Sequence, residues 1–206
     1  MTSILLEGFE PINLDLEDSE QKSIITGASW EDYELLLNYL EDSSRYRITY
    51  LDGTLEIMSP SRNHEFSKKN IARLLEAYLN QAEIDYWGYG STTFRKQNQK
   101  SGKEPDECYC IGTEKQFPDI AIEVIVSSGG IDNLEVYKRL EIKEIWFWQN
   151  DCLTIYYLNQ KGEYQQQNQS VILPELDVNL LASYVTASNP RIAVKEFLSR
   201  ISSSQS

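Results

Sequence analysis

The chain has 206 residues, 41% of them hydrophobic, and a formal net charge of −13. This length suits one domain with a full core, and the composition excludes a disordered chain. The sequence shows neither an apolar run of membrane-spanning length nor a basic secretory signal, which predicts a soluble protein with no membrane partner. An odd number of cysteines, three, is more typical of the reducing cytoplasm than of a disulfide framework.

The acidic net charge argues against a strongly basic nucleic-acid binder, because contacts to phosphates come mostly from Lys and Arg. One segment departs from this balance. Between positions 68 and 103 lie seven basic residues: Lys68, Lys69, Arg73, Arg95, Lys96, Lys100 and Lys103. They predict a local positive cleft on an acidic body.

The first elements are an arm, a helix and a hairpin. Residues 1–26 are mixed and acidic, and they predict an N-terminal arm with little structure of its own. Ser29 is a candidate N-cap, followed by apolar residues at helical spacing: Tyr33, Leu36, Leu37 and Leu40. The dipeptide Asp52-Gly53 separates two alternating runs, 46–51 and 54–58, and is typical of a β-hairpin.

A long helix is predicted over residues 62–83. Its apolar stripe contains Ile71, Leu74, Leu75, Tyr78 and Leu79. His64 lies near the middle of this stripe and Glu65 at its edge. His64 is therefore either a buried histidine with satisfied hydrogen bonds or a member of a functional site.

The remaining elements complete one domain over residues 27–201, with a disordered tail at 202–206. Extended segments are predicted at 87–95, 104–111, 118–126 and 144–148, and a helix at 132–140. A hairpin over 153–167 and two short helices follow, at 176–184 and 190–201. A helix followed by three strands, a helix and a strand predicts an α/β sandwich around a mixed sheet.

Two of the extended segments carry acids. Asp106 lies in one and Glu123 in the next, where Asp119 shares its face because residues i and i+4 of a strand point the same way. Acids within apolar strands are costly unless they are paired or bind a cation. Asp106 and Glu123 on neighbouring strands would form a hard oxygen site of the Mg²⁺ type, or else be structural carboxylates bonded to backbone amides or an arginine.

Two further expectations follow from these acids and their neighbours. Unpaired acids repel each other, so removing Asp106 or Glu123 is expected to leave the melting temperature unchanged or to raise it.

A zinc site built from Cys108, Cys110, Cys152 and His64 is a weaker alternative, because a C-x-C pair lacks the second pair of a typical structural zinc site.

The organisation resembles the Uma2 family, of the cyanobacterial type, within the PD-(D/E)XK nuclease-like superfamily. Segments that carry the resemblance are 46–61, His64-Glu65, 90–93, 104–107, Glu123-Val124, 129–132 and 144–148. The resemblance implies an α/β (α+β) fold with a restriction-endonuclease-like core, in which a mixed central β-sheet is flanked by helices and joined by an N-terminal β-hairpin.

The resemblance also implies a site. Glu65, Asp106 and Glu123 fall on the acidic positions of the superfamily. Asp106 and Glu123 would hold a divalent ion, Mg²⁺ or Mn²⁺, with Glu65 or His64 at its rim. DNA is the implied substrate, and relatives imply a homodimer. Four aromatic residues would suit a subunit interface or would instead pack the sheet: Trp146, Trp148, Tyr156 and Tyr157.

The sequence departs from the superfamily at the lysine that orients the attacking water. Ile125 stands where the motif Glu-x-Lys has its lysine. Relatives place a lysine on the next helix, at the position of Asn133 here. Lys138 is the nearest substitute on that helix, about 140° around its axis. The candidate catalytic residues are therefore Glu65, Asp106, Glu123, Asn133 and Lys138.

These features leave two functions open. The first is a metal-dependent DNA endonuclease, which the clustered carboxylates favour. The second is a non-catalytic protein that keeps the nuclease fold and binds nucleic acid or a protein partner. The net charge of −13 and Asn133 favour this second function.

Overall fold

The computed structural model describes residues 2–4, 12–14, 20–40, 45–126 and 129–204. The helices in these ranges are α1 (Trp30–Leu40), α2 (Arg62–Gln81), α3 (Asn133–Leu140), α4 (Val178–Ala182) and α5 (Pro190–Ser204). The strands are β1 (Thr2–Ile4), β2 (Ile12–Leu14), β3 (Gln21–Thr26), β4 (Arg47–Leu51), β5 (Thr54–Ser59), β6 (Tyr86–Gly88), β7 (Phe94–Lys96), β8 (Ser101–Lys103), β9 (Glu107–Ile111), β10 (Ile120–Val124), β11 (Glu144–Gln149), β12 (Cys152–Leu158) and β13 (Tyr164–Gln167).

The strands form two large sheets. A six-stranded mixed sheet has the order β13-β12-β11-β10-β9-β6, with β10 and β11 parallel. A five-stranded antiparallel sheet has the order β3-β5-β4-β8-β7, and β1 pairs with β2 separately. The expected α+β fold with a mixed sheet flanked by helices is confirmed, and its architecture is consistent with a restriction-endonuclease-like core. The N-terminal hairpin belongs to the second sheet.

The turn of the β4–β5 hairpin agrees with the sequence prediction. Asp52 has φ 44° and Gly53 has φ 85°, the left-handed conformations that a type I′ turn requires. Strand β3 then pairs with β5 along its whole length. Residues 21–26, which the sequence placed in an arm with little structure of its own, thus gain regular backbone hydrogen bonds as a sheet edge.

Helices pack on both sheets, and α3 contacts strands of each. Helix α1 begins after Ser29, whose hydroxyl accepts from the Asp32 amide at 3.1 Å, as the N-cap prediction expected. It packs on the five-stranded sheet with residues including Tyr33, Leu36, Ile48, Tyr50 and Ile57. Helices α2, α4 and α5 cover one face of the six-stranded sheet, and α3 packs on the other face with residues from β7, β9 and β11.

The predicted interface aromatics divide between the core and the surface. Trp146 is fully buried and Trp148 is 4% exposed, so neither is available to a second subunit. Alternation along β11 directs both side chains toward α2, α4 and α5. Tyr156 and Tyr157 are half-buried, and the ring of Tyr156 packs edge-on against Phe147.

The C-terminal helix is longer than expected. Helix α5 continues to Ser204, and the hydroxyls of Ser202 and Ser203 bond back to the carbonyls of Leu198 and Ser199. The disordered tail predicted at 202–206 is corrected for residues 202–204, while residues 205–206 lie outside the described residues. None of the helices within the described ranges has the length and apolar character needed to cross a membrane.

Strand β8 depends on a close approach between Gly102 and the ring of Tyr33. A Cβ atom at Gly102 would lie 2.6 Å from Tyr33 Cζ, and Tyr33 is fully buried. Gly102→Ala is therefore expected to lower the free energy of unfolding by about 1–3 kcal/mol through overpacking. Chemical denaturation would measure this loss. Adding Tyr33→Leu should recover part of it, and a Gly102→Ala protein as stable as the parent would contradict this packing.

Candidate functional site

The two candidate metal-binding carboxylates lie side by side. Asp106 directly precedes β9 and Glu123 lies on β10, and these strands pair with Ile122 opposite Glu107. Asp106 is 1% exposed and Glu123 is 5% exposed. Asp106 therefore lies at the start of the strand next to the one that carries Glu123, and the burial of both acids means that each carboxylate needs a partner.

Asp106 is held by the first turn of α2. Its Oδ1 accepts from His64 Nε2 at 2.8 Å, and its Oδ2 accepts from the Val124 amide at 2.8 Å. The other ring nitrogen of His64, Nδ1, lies 2.9 Å from Glu20 Oε2. The Ser61 hydroxyl caps α2 by accepting from the His64 amide at 3.2 Å, which fixes the residue that carries the imidazole.

This chain of contacts makes His64 a cation. Burial alone would lower the pKa of His64, but the hydrogen bonds and charges of Asp106 and Glu20 outweigh it and raise the pKa to about 9. The imidazolium can then donate a hydrogen bond from each nitrogen. Burial disfavours ionisation of Asp106, yet His64 and the Val124 amide hold the pKa of Asp106 below its usual value.

Glu123 takes its partners from two other elements. Lys103 Nζ on β8 lies 3.3 Å from Glu123 Oε2, and the hydroxyl of Tyr137 on α3 donates to Glu123 Oε1. Lys103 pairs across the sheet with Thr49, whose Oγ1 lies 3.3 Å from the ammonium. The register of β4 and β8 therefore directs Lys103 across to the six-stranded sheet.

The charges at Glu123 are only partly balanced. Burial raises the pKa of Glu123 to about 7, and the negative charge of Asp106 adds to the rise, while Lys103 and Tyr137 oppose it. Two buried cations lie next to these carboxylates, His64 at Asp106 and Lys103 at Glu123. With a pKa of about 7, Glu123 still carries a proton part of the time at neutral pH.

A polar cleft of about 710 Å³ lies beside this buried cluster. Its lining includes four basic side chains and two acids: Arg47, Lys68, Lys69, Arg95, Glu65 and Glu104. The cleft lining thus has more basic than acidic side chains, although Lys69 is paired with Glu107 and Arg95 with Glu34. It brings together three of the seven basic residues that predicted a positive cleft, while Lys103 lies at the carboxylates instead.

Glu65 and Glu104 belong to this cleft and are both paired with Arg47. The distances are 3.5 Å from Arg47 Nη2 to Glu65 Oε1 and 3.3 Å from Arg47 Nη1 to Glu104 Oε1. Glu65 also lies 3.6 Å from Lys68 Nζ. Burial raises the pKa of Glu104. The charge of Arg47 opposes this rise, and the charge of Asp106 adds to it. Glu104 therefore connects the cleft electrostatically to the carboxylates.

The two other sequence candidates lie on α3. Asn133 is the first residue of α3, with its amide oxygen buried and without a hydrogen-bond partner among the described residues. Lys138 is exposed and pairs with Glu135 at 3.5 Å. The structure bonds His64 directly to Asp106, puts Glu123 on the neighbouring strand, places Glu65 in the adjoining cleft, and leaves Lys138 on the surface.

Sequence reasoning missed three residues of the cluster: Glu20, Lys103 and Tyr137. Glu20 lay in the segment expected to be an arm. Lys103 was counted in the basic segment, but Ser101-Gly102-Lys103 has no strand pattern because Gly and Lys are depleted in strands. Nothing in the sequence marked Tyr137 as more than a residue of the predicted helix. Its position four residues after Asn133 nevertheless puts both residues on one helix face.

The donor set fits a hard divalent cation. Mg²⁺ is commonly bound by one or two carboxylates together with substrate phosphate oxygens, and Asp106 and Glu123 supply two such carboxylates. No group of three or more His, Cys, Asp or Glu side chains within the described ranges is arranged around a metal position. Cys152 is exposed while Cys108 and Cys110 are buried, which does not favour the zinc alternative.

The chain belongs to the Uma2 family. A family model described as "Uma2: Putative restriction endonuclease" matches residues 30–187, which is more than half of the chain. No curated protein matches the chain. The matched range contains His64, Lys103, Asp106, Glu123 and Tyr137, whereas Glu20 lies before it. Family membership supports a nuclease-like function for the chain.

The contacts argue against the expectation that removing Asp106 or Glu123 leaves the melting temperature unchanged or raises it. Asp106 and Glu123 are each paired with a buried cation. Removing one member of a buried pair leaves the other uncompensated, which costs roughly 3–5 kcal/mol. The sequence expectation assumed unpaired acids, and it could not anticipate that α2 and β8 bring a histidine and a lysine to them.

The pKa of His64 predicts a pH-dependent stability. The folded pKa of about 9 lies above the ordinary value of 6.5, so the stabilisation is fully present below pH 6.5 and is lost as pH rises through 9. We expect the melting temperature of the parent to fall between pH 7 and 9.5. His64→Gln should start lower and show a flatter profile in that window, whereas equal slopes for the two proteins would contradict the assignment.

Proposed function

We propose that this Uma2 protein is a divalent-metal-dependent DNA endonuclease that uses Mg²⁺ or Mn²⁺. The observation that carries the proposal is the buried pair of carboxylates, Asp106 and Glu123, in which burial and the charge of Asp106 raise the pKa of Glu123 to about 7. A cation bound between the two carboxylates would relieve their repulsion. Asp106 and Glu123 would hold the ion, and Glu65 and His64 lie near it.

The positive cleft supports DNA as the substrate. Arg47, Lys68, Lys69 and Arg95 line it beside two acids, and basic side chains bind the phosphate backbone without reading its sequence. All four are at the same time paired with acids: Arg47 and Lys68 with acids of the cleft, Lys69 with Glu107 and Arg95 with Glu34. Bound phosphates would compete with these acids for the cations.

The residues of the cluster divide the chemistry between them. A bound Mg²⁺ or Mn²⁺ supplies activation of water and neutralisation of charge on the phosphate. His64 keeps Asp106 ionised and oriented, because it donates to Oδ1 while the Val124 amide donates to Oδ2. The Tyr137 hydroxyl holds one oxygen of Glu123 and leaves the second oxygen to Lys103.

A second candidate function is binding without cleavage. All four oxygens of Asp106 and Glu123 already have protein partners, and Asn133 stands in place of the lysine of the relatives. Under this alternative the same cluster is a structural link between the two sheets, and the cleft binds nucleic acid or a protein partner.

The cellular setting and assembly are also part of the proposal. The three free cysteines support the reducing cytoplasm as the location. A homodimer is supported by Leu35 and Tyr39 on α1, which are 63% and 71% exposed and offer apolar surface to a second copy. The buried Trp146 and Trp148 have no part in this interface.

Metal binding and cleavage test the proposal together. Calorimetric titration of the parent with Mn²⁺ should show one binding site, and supercoiled plasmid should be nicked in the presence of Mg²⁺ or Mn²⁺. Glu123→Gln should lose both, because it removes a ligand charge while nearly conserving shape. Glu163→Gln, at an exposed hairpin residue, is the matched control and should retain both.

The outcomes separate the two functions. A parent that binds neither Mn²⁺ nor DNA contradicts the proposal, and so does plasmid nicking that persists in Glu123→Gln. A parent that retards DNA in a gel shift but does not nick it, with or without metal, favours binding without cleavage.

A further inference from the structure

The site contains an ammonium group that the family resemblance does not place there. Neither position at which the resemblance expects a lysine carries one, since Ile125 and Asn133 occupy them. Lys103 Nζ nevertheless lies 3.3 Å from Glu123 Oε2, and Lys103 is only 5% exposed. It arrives from β8 of the five-stranded sheet, whereas Glu123 and Asn133 belong to β10 and α3.

The surroundings of Lys103 are those of a cation directed at the acids. Its Nζ contacts Glu123 and the hydroxyl of Thr49, and its charge acts on both Asp106 and Glu104. It also lies 5.9 Å from the centre of the Tyr137 ring. A lysine held mainly to support β8 would not need to extend from one sheet to the carboxylates of the other.

The position of Asn133 explains why both lysines are not needed. Asn133 and Tyr137 are four residues apart on α3 and share a helix face, and the Tyr137 hydroxyl touches Glu123. A lysine at position 133 would therefore approach Glu123 from the α3 side. Lys103 approaches it from the opposite sheet, and two ammonium groups at one carboxylate would repel each other.

We propose that Lys103 has taken over the role of the missing motif lysine, so that the charge needed for phosphodiester cleavage comes from β8 instead of α3. This inference rests on the proposed nuclease function. Lys103 would release Glu123 Oε2 to the ion and direct its ammonium at the attacking water and the scissile phosphate.

The reaction that Lys103 would assist is hydrolysis. The water oxygen forms a bond to phosphorus, and the bond between phosphorus and the leaving sugar oxygen breaks. The water gives up one proton to solvent, and the leaving oxygen takes up one proton from solvent. Lys103 keeps its protons throughout, and it stabilises the negative charge that grows on the phosphate in the transition state.

Four variants test the assignment. Lys103→Met removes the charge and nearly conserves length, and Lys103→Arg keeps the charge and guards against a folding defect. Lys103→Met/Asn133→Lys moves the ammonium to α3. Lys161→Met, at an exposed hairpin residue, is the control. Single-turnover cleavage, Mn²⁺ calorimetry and thermal melting are measured for each.

We expect Lys103→Met to slow the cleavage step by roughly 10²–10³-fold, the cost of one lost electrostatic donor. Its Mn²⁺ affinity should be equal to or higher than that of the parent, because the ammonium no longer competes for Glu123. Lys103→Arg should keep part of the rate, and Asn133→Lys in the Lys103→Met background should restore cleavage. The Lys161→Met protein should match the parent.

Contrary results are of three kinds. If Lys103→Met cleaves at the parental rate, the inference is wrong and the proposed function stands. The inference is equally wrong if Lys103→Met loses Mn²⁺ binding and melts far below Lys103→Arg, because Lys103 is then a structural partner of Glu123. A parent that neither binds Mn²⁺ nor cleaves DNA overturns the proposed function and the inference together.

Discussion

The buried contact between Lys103 and Glu123 joins the two halves of this molecule. The lysine belongs to the five-stranded sheet and the carboxylate to the six-stranded sheet, and their charged atoms lie 3.3 Å apart. An ion pair in this setting is stable only when its remaining hydrogen-bonding capacity is satisfied, which Thr49 and Tyr137 accomplish. Thr49 on β4 and Tyr137 on α3 thus contact the pair from two different elements.

The same contact limits what can bind. Asp106 is neutralised by His64 and Glu123 by Lys103, so a metal ion must replace a protein contact to reach the carboxylates. Glu123, with a pKa of about 7, is partly protonated at neutral pH, and under the proposed function the ion would take the place of that proton. Under the proposed function, the cleft next to the cluster would provide a route for a phosphate, with Glu104 as the shared neighbour of both.

Local sequence patterns predicted most helices and strands well. The strands that they missed are those that form only through pairing with distant strands. Asp52-Gly53 indicated its hairpin and Ser29 its helix start, because both depend on a few adjacent residues. The six residues of β3 and the three of β8 escaped prediction, since their strand structure comes from hydrogen bonds to β5 and β4. Asp106 and Glu123 were found from their place in apolar strands, whereas Lys103, Tyr137 and Glu20 reach the site only through tertiary folding.

The most direct test of metal binding at this ion pair is a crystal structure determined with Mn²⁺, using the anomalous scattering of the metal. We predict one anomalous peak bonded to oxygens of Asp106 and Glu123, with Lys103 Nζ moved away from Glu123 Oε2. An undisturbed Lys103–Glu123 contact in crystals saturated with Mn²⁺, with no peak at these carboxylates, would contradict this and show that the ion pair is purely structural.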